Sequence, residues 1–156
     1  MVSTSSDLSF SSQRWLKQLK SAGYRLTVPR QAVVETIATS EYLLDPQSIY
    51  EQARQHYPRL GLVTVYRTLE KLEELGLIQR VHHPDGCQAF IAAASGHQHL
   101  LICERCSRVQ YFSGDGEPMG NLMDSVGRES GYLIHDHWLQ LFGLCETCQQ
   151  ELAQNH

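Results

Sequence analysis

The sequence predicts an α+β chain in which an N-terminal winged helix-turn-helix domain precedes a small α/β domain closed by a four-cysteine zinc site. Two observations lead there. Helix-spaced apolar residues recur four times before Gly76 and give way to a hairpin signature, and two Cys-x-x-Cys pairs stand in the second half. The halves also differ in charge: residues 1–80 carry ten Lys/Arg against eight Asp/Glu, residues 81–156 three against nine. All five cysteines and seven of the eight histidines lie at or beyond His82, which makes the second half the metal half. A chain of 156 residues, 42% hydrophobic, can hold one large core or two small ones.

Residues 1–11 are Ser-rich and polar, the composition of a disordered tail. Trp15, Leu16 and Leu19 share a helical face that ends at Ala22-Gly23, where glycine can take the left-handed position after a helix. A second helix follows Thr27-Val28-Pro29, with Val33, Val34 and Ile37 on one face. The third opens with Asp45 as N-cap and Pro46 in the first turn, buries Ile49 and Ala53, and stops before Pro58. Gly61 leads into the fourth, where Val65, Leu69, Leu72 and Leu75 form the inward stripe and Gly76 ends it. Tyr66, Arg67, Thr68 and Lys71 are expected to face outward.

Leu77 to His83, a turn at Pro84-Asp85-Gly86, and Cys87 to Ile91 read as the hairpin of a wing. In such a domain the N-terminal residues of the recognition helix reach base edges in the major groove. Thr64, Tyr66 and Arg67 are the DNA-contacting candidates, Arg67 because a bidentate guanidinium suits guanine. Their competing reading is a solvated helix face. A positive balance of only +2 implies modest affinity per protomer, so dimerisation is expected.

Beyond a hinge at 93–96, Leu100 to Ile102 and Val109 to Phe112 read as strands. A helix is expected from about Glu117 to Ser130 with Leu122, Met123 and Val126 inward, and alternation from Tyr132 to Phe142 suggests a strand. Between them Cys103/Cys106 and Cys145/Cys148 can complete the all-sulfur tetrahedron that structural zinc prefers. A thioredoxin-like pair would need one copy of the motif and a βαβ setting, neither of which fits. Disulfides would need an oxidising compartment, yet Met1 to Ser6 shows no basic segment leading into an apolar run. No membrane span is evident, and a cytoplasmic location is expected.

Gly61-Leu-Val-Thr-Val-Tyr-Arg-Thr-Leu69, then His97-Gln-His99-Leu-Leu-Ile-Cys103-x-x-Cys106 and Gly143-Leu-Cys145-x-x-Cys148, resemble the ferric uptake regulator (Fur) family of bacterial metal-dependent repressors. The resemblance spans about residues 12 to 150. It implies a homodimer on double-stranded operator DNA, expected to be palindromic, with residues 12–92 as the DNA-binding domain. Residues 97–156 then form the dimerisation and metal-binding domain, with a sensor site at the hinge.

Iron and peroxide sensors of the family use a histidine before the third helix, an acid at the end of the hairpin, the His-x-His pair, and an acid five residues past the knuckle. Those positions here read Leu43, Ile91 or its neighbours, His97 and His99, and Tyr111. Only the His-x-His pair matches, while Cys87 sits on the hairpin beside His82 and His83. Thiolate with imidazoles suits zinc, so the chain resembles the zinc uptake regulator (Zur) branch.

The expected sensor ligands are Cys87, His97, His99 and one of His82 or His83, with His83 preferred because the turn at Pro84-Asp85-Gly86 would place it opposite Cys87, giving one structural and at least one regulatory Zn2+ per subunit. The competing reading of Cys87 is a small half-buried hydrophobe. A further site found in some relatives retains only Glu117 and His137 here, with Gly96 and Gln98 in the other positions, and His135 and His137 read as surface histidines on one strand face. An iron- or peroxide-responsive regulator is the alternative function. A zinc-dependent enzyme is remote, since His-Glu-x-x-His, Gly-x-Ser-x-Gly and phosphate-cradling motifs are absent from the sequence.

Overall fold

The computed structural model describes residues 5–82, 86–93, 98–113 and 116–154. The chain divides into two units, Met1–Ala93 and Ala94–His156. Of the hinge expected at 93–96, residues 94–96 lie outside the described residues.

The first unit is built on four helices. Helix α1 runs Ser5–Ser21, further toward the N-terminus than composition suggests, so residues 5–11 are helical instead of a disordered tail. Once Trp15 and Leu19 are buried, each added residue costs no new nucleation and gains one backbone hydrogen bond. Gly23 follows α1 with φ of 85°, the left-handed conformation that glycine adopts without a side-chain penalty.

Helix α2 is Val28–Ala38, with Pro29 in the first turn where its missing N–H is no loss. Helix α3 is Pro46–His56, and the Asp45 carboxylate accepts the Ser48 N–H at 2.8 Å as its cap. Val33, Val34, Ile37, Ile49 and Ala53 join Trp15 and Leu19 in one core.

Helix α4, Leu62–Glu74, packs into that core through Val65, Leu69 and Leu72. Thr68 also turns inward and is fully buried, contrary to its expected outward position. Its place one turn from both Val65 and Leu72 widens the apolar arc, and its hydroxyl donates to the Thr64 carbonyl at 2.7 Å, so the methyl is buried without an orphaned polar group. Gly76, φ 64°, turns the chain into the wing.

Strands β1 (Ile78–His82) and β2 (Gln88–Ala92) pair antiparallel from Ile78↔Ala92 to His82↔Gln88. A bridge between Leu44 and Phe90, closed by backbone bonds of 2.9 and 3.0 Å, ties the segment before α3 to the wing. Its short length hid it from strand periodicity. Arg80 locks β1 to α4: its guanidinium donates to both Glu73 carboxylate oxygens at 3.0 and 2.6 Å and to Gln88 at 2.8 Å. The paired geometry fixes orientation as well as charge.

The second unit is a three-stranded sheet in the order β4-β3-β5, with β3 at His99–Cys103, β4 at Val109–Phe112 and β5 at Gln140–Gly143. β3 and β4 are antiparallel, β3 and β5 parallel. A parallel pair needs a crossover, which includes α5, Glu117–Ser130.

The strand expected over 132–142 shrinks to β5, because β3 offers its first partner to Gln140 at Leu100. Alternation without a neighbour to pair with does not make a strand. Leu122 and Val126 of α5 are exposed instead of turned inward. Helix α6, Glu146–Gln154, was not anticipated from the sequence. Among the described residues no helix is long and apolar enough to cross a membrane.

The two glycines of α5 should respond oppositely to alanine. A Cβ on Gly120 meets nothing within 4 Å, so Gly120→Ala should stabilise by up to about 1 kcal/mol. A Cβ on Gly127 would lie 2.9 Å from the Tyr132 carbonyl oxygen, so Gly127→Ala should destabilise, its overpacking penalty of about 1–3 kcal/mol exceeding the helical gain. Thermal denaturation of both variants measures the contrast.

Candidate metal centre

The four-cysteine cluster is assembled by sheet pairing. Cys103 is the last residue of β3 and stands opposite Gly143, the last residue of β5, so the next turn of each chain emerges at the same end of the sheet. The Glu104 N–H donates to the Gly143 carbonyl at 2.8 Å, and the Cys145 N–H donates to Cys103 Sγ at 3.3 Å. The first knuckle closes when the Ser107 N–H donates to the Cys103 carbonyl at 2.9 Å, with Ser107 at φ 61°. Cys148 lies within the first turn of α6, and that turn returns it toward the other three.

The four Sγ atoms all lie within 4.8 Å of one another, and Cys106 and Cys145 are separated by 3.7 Å. Four sulfurs at about 2.3 Å from one zinc ion form a tetrahedron with edges of about 3.8 Å, so these residues fit the ion without rearrangement of the fold. Burial pushes the Cys103 thiol up, but the backbone N–H groups of Cys145, Cys106 and Arg105 outweigh it and bring the group down to about 6. Cys148 is pushed up to about 12 by burial and by its neighbours Cys145, Cys106 and Cys103. Thiolates crowded this closely call for a cation. Arg105, inside the first knuckle, donates to the Cys148 carbonyl at 3.2 Å and pairs with Glu151 at 3.4 Å, fastening α6 to the cluster.

The expected sensor residues are distributed unevenly. His83 and His97 lie outside the described residues. Cys87 is exposed immediately beyond the final ladder pair of the hairpin, which removes its reading as a half-buried hydrophobe. His99 is 2% exposed at the start of β3, its ring against Phe112 at a centroid distance of 5.4 Å.

His137 is not the surface histidine expected of it: its Nε2 stands 3.0 Å from His99 Nε2. The two-residue alternation behind that expectation fails because residues 132–139 are not a strand. His135 is exposed, and the side chain of Glu117 lies outside the described residues. Spacing could not have revealed the His99–His137 meeting, since the two are 38 positions apart.

On α4, Tyr66 and Arg67 are exposed near the N-terminus and Thr64 is half-buried. Val63, an apolar residue passed over in the sequence, is exposed beside them.

Residues 21–142 match the model of the ferric uptake regulator family. The chain belongs to that family. The ferric uptake regulation protein of Neisseria meningitidis is 30% identical over 135 residues, covering 86% of this chain and 92% of the relative. The Helicobacter pylori ferric uptake regulator matches with a TM-score of 0.67 at 24% identity, covering 95% of each chain. A zinc uptake regulator complexed with zinc and DNA matches with a TM-score of 0.67 at 20% identity, covering 97% of this chain and 99% of that one.

At these identities the two structures establish the shared fold. A Fur-family chain is a metal-responsive transcription regulator and not an enzyme.

Two substitutions separate ligand from geometry at the knuckle. Cys103→Ser should lose the metal that the four thiolates would hold and unfold the second unit, read by metal content and circular dichroism. Ser107→Gly should retain the zinc and gain about 1 kcal/mol, since glycine relieves the left-handed backbone at this position.

Proposed function

We propose that this protein is a zinc-responsive transcription regulator of the zinc uptake regulator branch, binding palindromic operator DNA as a homodimer and controlling zinc homeostasis genes. The observation that carries the choice of metal is the chemistry at the positions where the family resemblance expects hard donors. Leu43 and Ile91 are buried apolar residues, and Tyr111 is a phenol whose ionisation is pushed up by burial. None can supply the carboxylates of an iron shell, whereas Cys87 supplies an accessible thiol on the wing. The named relatives are ferric regulators, which keeps iron as the competing metal.

Cys103, Cys106, Cys145 and Cys148 are the proposed structural zinc ligands, and His83, Cys87, His97 and His99 the proposed sensor ligands. The sensor set draws on both units, so holding one ion would reduce the freedom between them and favour the arrangement that fits two half-sites. The ion supplies only a cross-link. Thr64, Tyr66 and Arg67 read the DNA from the N-terminal part of α4, where Val63 adds an apolar surface for thymine methyl groups. Coupling is reciprocal, so operator DNA tightens zinc by the same factor that zinc tightens DNA.

A second copy of the chain suits the apolar surface of the second unit. Tyr132, Leu133 and Trp138 are 76%, 81% and 63% exposed in the single chain, Leu122 and Val126 lie exposed on α5, and β5 is an edge strand. Leu133→Asp combined with Trp138→Ser should shift the protein from dimer to monomer in analytical ultracentrifugation.

Duplexes selected from random sequence at saturating zinc provide the operator for the main test. Zinc should increase affinity for them by about 5–150-fold, and iron or manganese should not; the reverse order sinks the zinc reading. Cys87→Ser should abolish the zinc response while keeping the structural zinc. Arg67→Ala should cost about 1–3 kcal/mol on the selected sequence and much less on unrelated DNA.

A further inference from the structure

We infer that Glu70 is a specificity-determining residue of the DNA interface, its carboxylate accepting a hydrogen bond from the exocyclic amine of a cytosine beside the base that Arg67 contacts. The inference rests on the proposed reading of DNA by α4 and is independent of which metal is sensed.

Helical register places Glu70 among the residues proposed to meet DNA. At about 3.6 residues per turn, Val63, Tyr66, Arg67 and Glu70 stand at i, i+3, i+4 and i+7, inside an arc of about 100° with Glu70 near its middle. All four residues are exposed, on the face opposite buried Val65, Leu69 and Leu72. The homeodomain recognition helix reads the major groove from four positions at this same spacing. Glu70 lies three residues beyond Arg67, about 4.5 Å along the axis, and successive base pairs are about 3.4 Å apart. Its reach therefore falls on the base pair next to that of Arg67.

Charge separates Glu70 from the other acids of α4. Glu73 is paired with the Arg80 guanidinium at 2.6 Å. Glu74 is paired with Lys71 at 3.1 Å and accepts from the Tyr24 hydroxyl at 2.9 Å. Among the described residues, neither Glu70 nor Arg67 has a hydrogen bond or ion pair, so both present their full charge outward.

The two charges act differently in a groove flanked by phosphates. A guanidinium is attracted to any duplex, whereas a carboxylate is repelled by every duplex unless a base donor offsets the repulsion. In the major groove that donor is cytosine N4, while guanine and the thymine carbonyl present acceptors that repel a carboxylate. Glu70 thus lowers affinity for DNA at large and restores it where cytosine stands in the right place. A stripe with a methyl-binding residue, a guanidinium and a carboxylate discriminates more sequences than Tyr66 and Arg67 do by themselves.

The competing account is a solvated carboxylate that faces the groove without touching a base. Selection of duplexes from a random pool with the full-length protein, in whichever of zinc, iron or manganese supports binding, separates the two. The wild type should select cytosine at the base pair adjacent to the guanine whose preference Arg67→Ala removes. In Glu70→Ala and Glu70→Leu the preference for that cytosine should fall by about 5–150-fold, with the preferences at other positions kept. Both variants selecting the wild-type sequence, and binding every duplex more tightly by a common factor that shrinks with salt, would overturn the inference and leave α4 as the DNA-reading helix. A wild-type selection with no cytosine beside the guanine would overturn it as well. No selected sequence with any of the three metals would instead strike the proposed function itself. Because Glu70 is exposed, circular dichroism of both variants should match that of the wild type, which keeps the fold out of the comparison.

Discussion

Parallel pairing of β3 with β5 is the constraint on which the second unit depends. Cys103 and Cys145 are 42 positions apart in the chain, yet the register Cys103↔Gly143 brings both knuckles to one end of the sheet. The Cys145 N–H then donates to Cys103 Sγ, adding to the backbone donors that lower the thiol despite burial. Crossing from β4 to β5 through α5 is costly in loop closure for so small a sheet, and an ion held by the four thiolates would supply closure beyond that of a few buried side chains. Gly127 belongs to the same constraint, since the chain returning from α5 passes too close for a side chain there.

The first unit depends on burial instead of ligation. One apolar cluster from Trp15 to Phe90 joins all four helices to the wing. Within it α4 is held at three levels: the buried stripe Val65, Leu69 and Leu72, the satisfied hydroxyl of Thr68, and the Arg80 clamp between Glu73 and Gln88. The clamp joins α4 to β1 and to Gln88, the residue that follows Cys87. Fastened in this way, the wing and α4 form one packed assembly within the first unit.

Donor chemistry connects these scaffolds to regulation. Leu43 and Ile91 are buried apolar residues and Tyr111 is a half-buried phenol, so the positions where the family resemblance expects hard donors hold no carboxylate. The meeting of His99 with His137 concentrates nitrogen donors in the second unit, while Cys87 remains on the first.

Much of the fold was legible because it is recorded locally. Asp45 before Pro46, Gly61 before a helical stripe and Gly76 after it mark helix ends through capping and backbone conformation, which involve only neighbours. The Cys-x-x-Cys pairs are equally local, because two ligands of one ion must lie close in sequence to form a knuckle. Thr68, the exposed face of α5, the Leu44–Phe90 bridge and the single short strand before Cys145 were not legible, since each depends on what packs or pairs alongside. His137 is the sharpest case. By itself the sequence determined the winged helix, the metal half and the donor types available; only tertiary structure decided which donors meet, because pairing of β3 with its neighbours sets distances between residues that no spacing in the chain encodes.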